Sequence, residues 1–419
     1  MANYGEFINT EIPWIGEIPS HWRVMRGKTI LTLLSRPASD DDEIITCFRD
    51  GEVTLRKNRR EDGFTVSLQE IGYQGIEPGD LVVHGMDGFA GAIGISDSRG
   101  KSTPVLNVMD SAENKRFLMY YLRAAAYKDV FMSLSTGIRV RSCDLRWNKL
   151  SVFPFVLPTM AEQSQIVAFL DHNLEEIDTL IKEAKASIEE YKAWKASIIY
   201  EAVTKGLDPN VEMKESGVQF IGLIPESWDV VKFKRIASVE PNLISPEGYD
   251  SFIQIAPDCI EKGSGRLVKE RSVEDAGVVS WNQLFKKGQI LYSKIRPVLN
   301  KVIIAPFNGL CSADMYPIST RINTEFLLYS MLSQSFVGQV DLITRDRVKM
   351  PKINQDELGS VMVAVPPTKE EQRQIAEMIC IKTAEIDAIL REKEALVLEL
   401  ERYKKSLIFE VVTGKRRVC

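Results

Sequence analysis

The chain has 419 residues, 44% hydrophobic and 26% charged, enough for about two to four domains that each bury a core. It holds no run of about 18 apolar residues, and Met1 to Glu11 carries acids and no apolar segment; both observations speak against a membrane span or a secretory signal and for a cytoplasmic protein. The net charge of −5 argues against a nucleic-acid binder, but two segments, 158–206 and 367–415, carry all of it and leave the remainder neutral with its bases clustered.

Taken in chain order, Ile15-Gly-Glu-Ile-Pro-Ser-His-Trp22 leads into a region, 29–157, that reads as mixed α and β. Short apolar runs such as Asp80-Leu-Val-Val83, bounded by glycine turns, predict buried strands, and Glu113 to Leu134 predicts one helix, opened by Asp110-x-x-Glu113. The stretch Gly85-Met-Asp-Gly-Phe-Ala-Gly-Ala-Ile-Gly94 lacks both the P-loop lysine pattern and GxGxxG spacing. It reads as a turn between strands, with His84 at its mouth as a structural residue. Thr159-x-x-Glu162 after Pro158 is a capping box for a long helix, and Gly206 is placed to stop it. Within it Ile177, Ile181, Ala184, Ile188, Tyr191, Lys195, Ile198 and Ala202 follow a heptad seam.

The second half repeats the first. Pro158-Thr-Met-Ala-Glu-Gln-Ser-Gln-Ile166 returns 209 positions later as Pro367-Thr-Lys-Glu-Glu-Gln-Arg-Gln-Ile375, and the same offset carries Ile177-Asp178 onto Ile386-Asp387 and Lys195 onto Lys404. The lead-in returns 206 positions later as Ile221-Gly-Leu-Ile-Pro-Glu-Ser-Trp228. Gln289-Ile-Leu-Tyr292 predicts another buried strand, Thr324 to Val340 a single helix, and Ile386, Leu390, Lys393, Val397, Leu400, Lys404, Leu407 and Val411 a second seam ending near Gly414. Neither long helix can bury its stripe alone. They pair with each other, which by symmetry favours an antiparallel arrangement, or each packs on its own globular region. The seam lysines Lys195 and Lys404 either set register or carry their ammonium groups out to solvent.

Bases gather in predicted loops: Arg56, Lys57, Arg59 and Arg60, then Arg139, Arg141, Arg146 and Lys149, in the first half; Lys294, Arg296 and Lys301, then Arg345, Arg347, Lys349 and Lys352, in the second. Arginine forks match phosphate oxygens and the O6 and N7 of guanine. Arg139 and Arg347 stand at comparable places in the two halves, whereas Arg56 to Arg60 has no counterpart and is the weaker candidate. The six cysteines (Cys47, Cys143, Cys259, Cys311, Cys380, Cys419) form no CxxC pair and read as reduced thiols; His21, His84 and His172 are too scattered for a metal site. No GxSxG, HExxH or carboxylate pair marks an enzyme.

Two copies of GxIPxxW, each followed by a variable region and a helix opening on a proline and EQxxI, resemble the specificity subunits of Type I restriction-modification systems over the whole chain. The resemblance implies an α+β protein in which two mixed α/β target recognition domains are joined by two long antiparallel coiled-coil helices as a pseudo-two-fold tandem repeat. Residues 1–157 would be the first recognition domain, 158–206 the first spacer helix, 207–366 a linker and the second domain, and 367–419 the second spacer. It further implies double-stranded DNA as ligand, with each domain reading half of an asymmetric bipartite site and the helices setting the gap. Two modification (methyltransferase) subunits with S-adenosylmethionine, and restriction subunits using ATP and Mg, would be the partners; this chain would bind no cofactor and catalyse nothing. The DNA contacts expected are Arg56, Arg59, Arg139, Arg141, Arg146, Lys294, Arg296, Arg345, Arg347 and Lys349. The alternative is a stand-alone DNA-binding or scaffold protein without an active partner system.

Overall fold

A computed structural model describes residues 4–59, 70–133, 144–347 and 349–418. The chain divides into two compact units, Met1–Ala184 with Ala395–Cys419, and Lys185–Glu394, so the division runs through the middle of both long helices.

In the first unit a four-stranded antiparallel sheet has the order Thr32–Leu33, Leu106–Asp110, Leu81–His84, Ile93–Ile95, with Val82 opposite Val108. Val82 and Val108 are wholly buried with Ile45, Val53 and Ile76, because the strand faces water on neither side. A hairpin of Ile45–Cys47 and Val53–Leu55 and a pair of Gln74–Ile76 with Gly100–Ser102 stand beside it. The second unit repeats the sheet as Ala237–Val239, Met315–Thr320, Ile290–Ser293, Val302–Ile304, and adds a second sheet of Leu243–Ile244, Asn282–Phe285, Gly309–Ser312 and Gln254–Ile255. The runs predicted at Asp80–Val83 and Gln289–Tyr292 are thus central strands.

The helix predicted from Glu113 to Leu134 is instead Lys115–Tyr127 followed by Val130–Ser133, separated by Asp129 at φ 56°, a left-handed residue no helix continues through. Its cap is Asn114, whose side chain receives the Arg116 and Phe117 amides; Glu113 faces elsewhere, paired with Arg23 at 3.1 Å. The helix predicted over Thr324–Val340 likewise divides into Thr324–Leu332 and Gln334–Thr344. Extended Ser333 ends the first and caps the second through the Ser335 amide.

The long helices run Met160–Lys205 and Lys369–Val412, and Gly206 and Gly414 follow them at φ 75° and 73°. Each GxIPxxW tryptophan packs on one of these glycines: Trp228 on Gly206, Trp22 on Gly414. A methyl group on Gly414 would come within 2.5 Å of Pro19. The EQ of the repeated motif joins helix to globular region. Glu162 receives His21 at 2.8 Å, and Glu371 receives the Trp228 indole at 2.9 Å. Buried Gln163 and Gln372 each accept a hydrogen bond, from the amides of the helix caps Asn114 and Asn323 respectively, both at 2.9 Å.

Within each unit the helix segments pair antiparallel, since two contacts run in opposite order: Asp178 with Lys404 and Phe169 with Arg416 in the first, Lys195 with Asp387 and Ile199 with Ile375 and Ile379 in the second. Lys404 meets Asp178 in the first unit, and Lys195 meets Asp387 at 2.7 Å in the second. The seam lysines therefore set register, with the 209-residue offset relating the two pairs. Both packing expectations are realised: Ile199, Ala202 and Val203 meet Ile375 and Ile379 of the other helix and Trp228 and Phe326 of the globular region. This second surface widens the stripe, so Ile199, not the predicted Ile198, is the buried residue there.

Candidate nucleic-acid interface

The strand Ile290–Ser293 leads into a turn that returns as Val302–Ile304, with Arg296 and Asn300 both left-handed (φ 44° and 45°) around a short helical turn, Pro297–Leu299. Residues 351–353 lie along this turn: the Arg296 amide donates to Pro351 at 2.7 Å and the Ile353 amide to Lys294 at 2.9 Å. Two backbone hydrogen bonds thus bring Lys294 and Arg296 beside Pro351 and Ile353, which closely follow Arg345, Arg347 and Lys349, 49 or more positions later in the chain. The residues differ in freedom. Arg347 is held by Glu357 and by the Lys352 carbonyl; the hydrogen bond with Glu357 raises the Arg347 pKa and lowers that of Glu357. Lys294 sits over the Tyr316 ring, 3.9 Å from Asp314. Arg296, Arg345 and Lys349 are exposed, and among the described residues no carboxylate pairs with them.

The first unit builds the same turn after Leu81–His84, and the Leu145 amide donates to Gly85 at 2.8 Å as Ile353 does to Lys294. Here the turn, Gly85 to Ala92, carries no base. Arg139, Arg141 and Arg60 lie outside the described residues, and Arg146 is exposed and paired with Asp144 at 3.2 Å. Positive charge arrives from the Ile45–Cys47 hairpin instead. Arg49, Arg56 and Arg59 share with His84 and Asp87 the wall of a cleft of about 710 Å³. Arg59 is held by Asp50 at 2.6 Å and Glu52 at 3.1 Å and stacks 4.3 Å above Phe48, while Arg49 is held by Asp87 at 2.9 Å. Arg56 donates to Thr46 at 3.3 Å. Arginines so held lose little further freedom on binding an anion or a base edge.

The sequence candidates Arg56 and Arg59, weakest when read alone, are therefore brought to the turn that matches the Lys294–Arg296 turn. Arg49 and Asp87 were missed. Their only signal was proximity to other charges, since the hairpin that delivers Arg49 pairs over short range while the cleft closes over long range. Burial, aided by Arg49 and opposed by Asp87, lowers the His84 pKa and keeps its ring neutral. Burial also pushes the Cys47 thiol up to about 12, so it is unreactive.

No protein-family model matches the chain. It is 35% identical over 192 residues to the Type I restriction enzyme EcoDI specificity subunit of Escherichia coli, a match covering 46% of this chain and 43% of that protein. The chain thus matches less than half the length of that relative. It is 26% identical over 340 residues to the Type I restriction enzyme MjaVIII specificity subunit of Methanocaldococcus jannaschii, covering 76% of each. Its fold is similar to a chain in a structure described as the basis of complex assembly and conformational transition of the type I R-M system, with TM-score 0.69, 12% identity and coverage of 94% of this chain and 98% of that one. In sequence the chain is thus similar to Type I restriction enzyme specificity subunits, and in fold to a chain of a type I R-M system.

Proposed function

We propose that this chain is the non-catalytic DNA-reading subunit of such a system. Each compact unit contacts one half of a bipartite site, and the helical segments that join them set the gap between half-sites. The observation that carries this reading is the shared turn, which meets basic residues in both units but draws them from different elements: Lys294, Arg296, Arg345, Arg347 and Lys349 in one, Arg49, Arg56 and Arg59 in the other. Units alike in frame and different in contact residues read different half-sites, so the site is asymmetric. Arg146 belongs to the same proposed surface of the first unit, next to Leu145, whose amide donates to Gly85, while Arg139 and Arg141 are proposed as DNA contacts on their sequence alone.

Two modification subunits carrying S-adenosylmethionine dock on the helices and methylate adenine at N6; the target base is flipped out by that partner, not by this chain. Restriction subunits with ATP and Mg complete the assembly. The test is methylome sequencing of a strain lacking this chain. Loss of N6-adenine methylation at one asymmetric bipartite motif is expected, and an unchanged methylome refutes the reading.

A further inference from the structure

His84 stands out among the residues of the first unit's cleft. Its Nδ1 receives two backbone amides, Met86 at 3.2 Å and Asp87 at 3.0 Å, so the ring proton resides on Nε2. Nε2 is 4.0 Å from the Asp87 carboxylate, beyond hydrogen-bond range, and no acceptor is paired with it among the described residues. The side chain is 19% exposed and faces the cleft that Arg49, Arg56 and Arg59 also line. The donor opens on the cleft, where an incoming acceptor can complete it.

The cleft is rich in donors. The carboxylates on its wall are occupied, Asp50 by Arg59 and Asp87 by Arg49. An incoming base that presents an amino group in the major groove, adenine or cytosine, would set donor against donor. Thymine presents one acceptor, O4, beside an apolar methyl group, whereas guanine presents two adjacent acceptors, O6 and N7, and no donor, the better match to several donors. The turn that holds His84 is the one that carries Lys294 and Arg296 in the second unit. Resting on the DNA-reading function proposed above, we infer that His84 is a specificity-determining residue of the first half-site, donating from Nε2 to the acceptor edge of a guanine that enters this cleft.

Two substitutions separate a reading role from a structural one. His84→Asn keeps a short acceptor for the Met86 and Asp87 amides, as in an Asx turn, but removes the far donor. His84→Gln returns an N–H near the position of Nε2. The full chain assembled with its modification subunit is bound to a pool of duplexes with both half-sites randomised, and bound sequences are counted. Discrimination at one G·C pair of the first half-site should fall about tenfold or more in His84→Asn and return in His84→Gln. The unchanged second half-site reports that the variant is folded. A wild-type profile in His84→Asn, or a loss spread evenly over all positions, overturns the assignment. If the wild-type complex selects no bipartite sequence at all, the DNA-reading function falls, and the role of His84 with it.

Discussion

The two seam ion pairs are the same pair in sequence terms but not in environment, and that difference is testable. Lys195 and Asp387 are each 17% exposed, whereas Lys404 and Asp178 are 26% and 55% exposed. Exposed pairs contribute about 0–1 kcal/mol, and removing one partner of a fully buried pair costs about 3–5 kcal/mol. Lys195→Ala lies between these limits, at about 2 kcal/mol, since among the described residues it leaves Asp387 with Arg266 alone, 3.8 Å away. Lys404→Ala should cost about 0.5 kcal/mol, because Asp178 regains water. A chain with two compact units does not unfold in one step, so the assay is native-state hydrogen exchange, read amide by amide along each helix. Opening around Asp387 should rise about 30-fold in Lys195→Ala, against two- to threefold around Asp178 in Lys404→Ala. Exchanging the charges, Lys195→Asp with Asp387→Lys, should restore only part of the loss, because Arg266 then faces a lysine. Equal losses at both places, or no loss at Lys195, would refute the argument that burial decides the strength of these pairs.

Arg345→Ala should weaken only the second half-site, by about 1–3 kcal/mol if its fork is bidentate on a base; loss spread over all sequences with a reduced salt slope would assign it to phosphate. Gly414→Ala should destabilise the first unit by about 1–3 kcal/mol, since its left-handed φ and the 2.5 Å approach to Pro19 both oppose a methyl group; the shift in melting temperature of that unit measures it. Burial raises the Glu162 pKa, but His21 and Thr159 more than offset this, so the carboxyl titrates below its ordinary value. Its folded pKa lies below its unfolded one, so its contribution is present above the unfolded carboxylate range and is lost as pH falls through the folded value. Melting curves on acidification should therefore flatten in Glu162→Gln, and identical pH dependence would contradict the role given to this carboxylate.

How much of this was legible beforehand follows from the range over which each interaction acts. The duplication, the capping box at Thr159, the glycine stops and the seam positions of Lys195 and Lys404 could be read from residues, because capping and 3.6-residue periodicity act within a turn or two of helix, whereas residues alone leave the register role of those lysines open. The central strands were legible for the same reason, as continuous apolar runs between glycine turns. The helix breaks at Asp129 and Ser333 were not, since apolar periodicity continues across both and only packing selects the backbone angles there. The purpose of the repeated EQ also needed the fold: Gln163 answers an amide 49 positions away.

The interface shows the division most sharply. Residue types alone identified Arg345, Arg347 and Lys349 as candidates, but only tertiary structure left Arg345 and Lys349 with no paired carboxylate among the described residues and tied Arg347 to Glu357. It likewise brought Arg49, Arg56 and Arg59 from a separate hairpin to the turn at His84. Sequence determines which side chains can donate to DNA and how often the frame is repeated, because both are local properties. Which donors remain free, and which stand together, is decided by long-range pairing of backbone and charge.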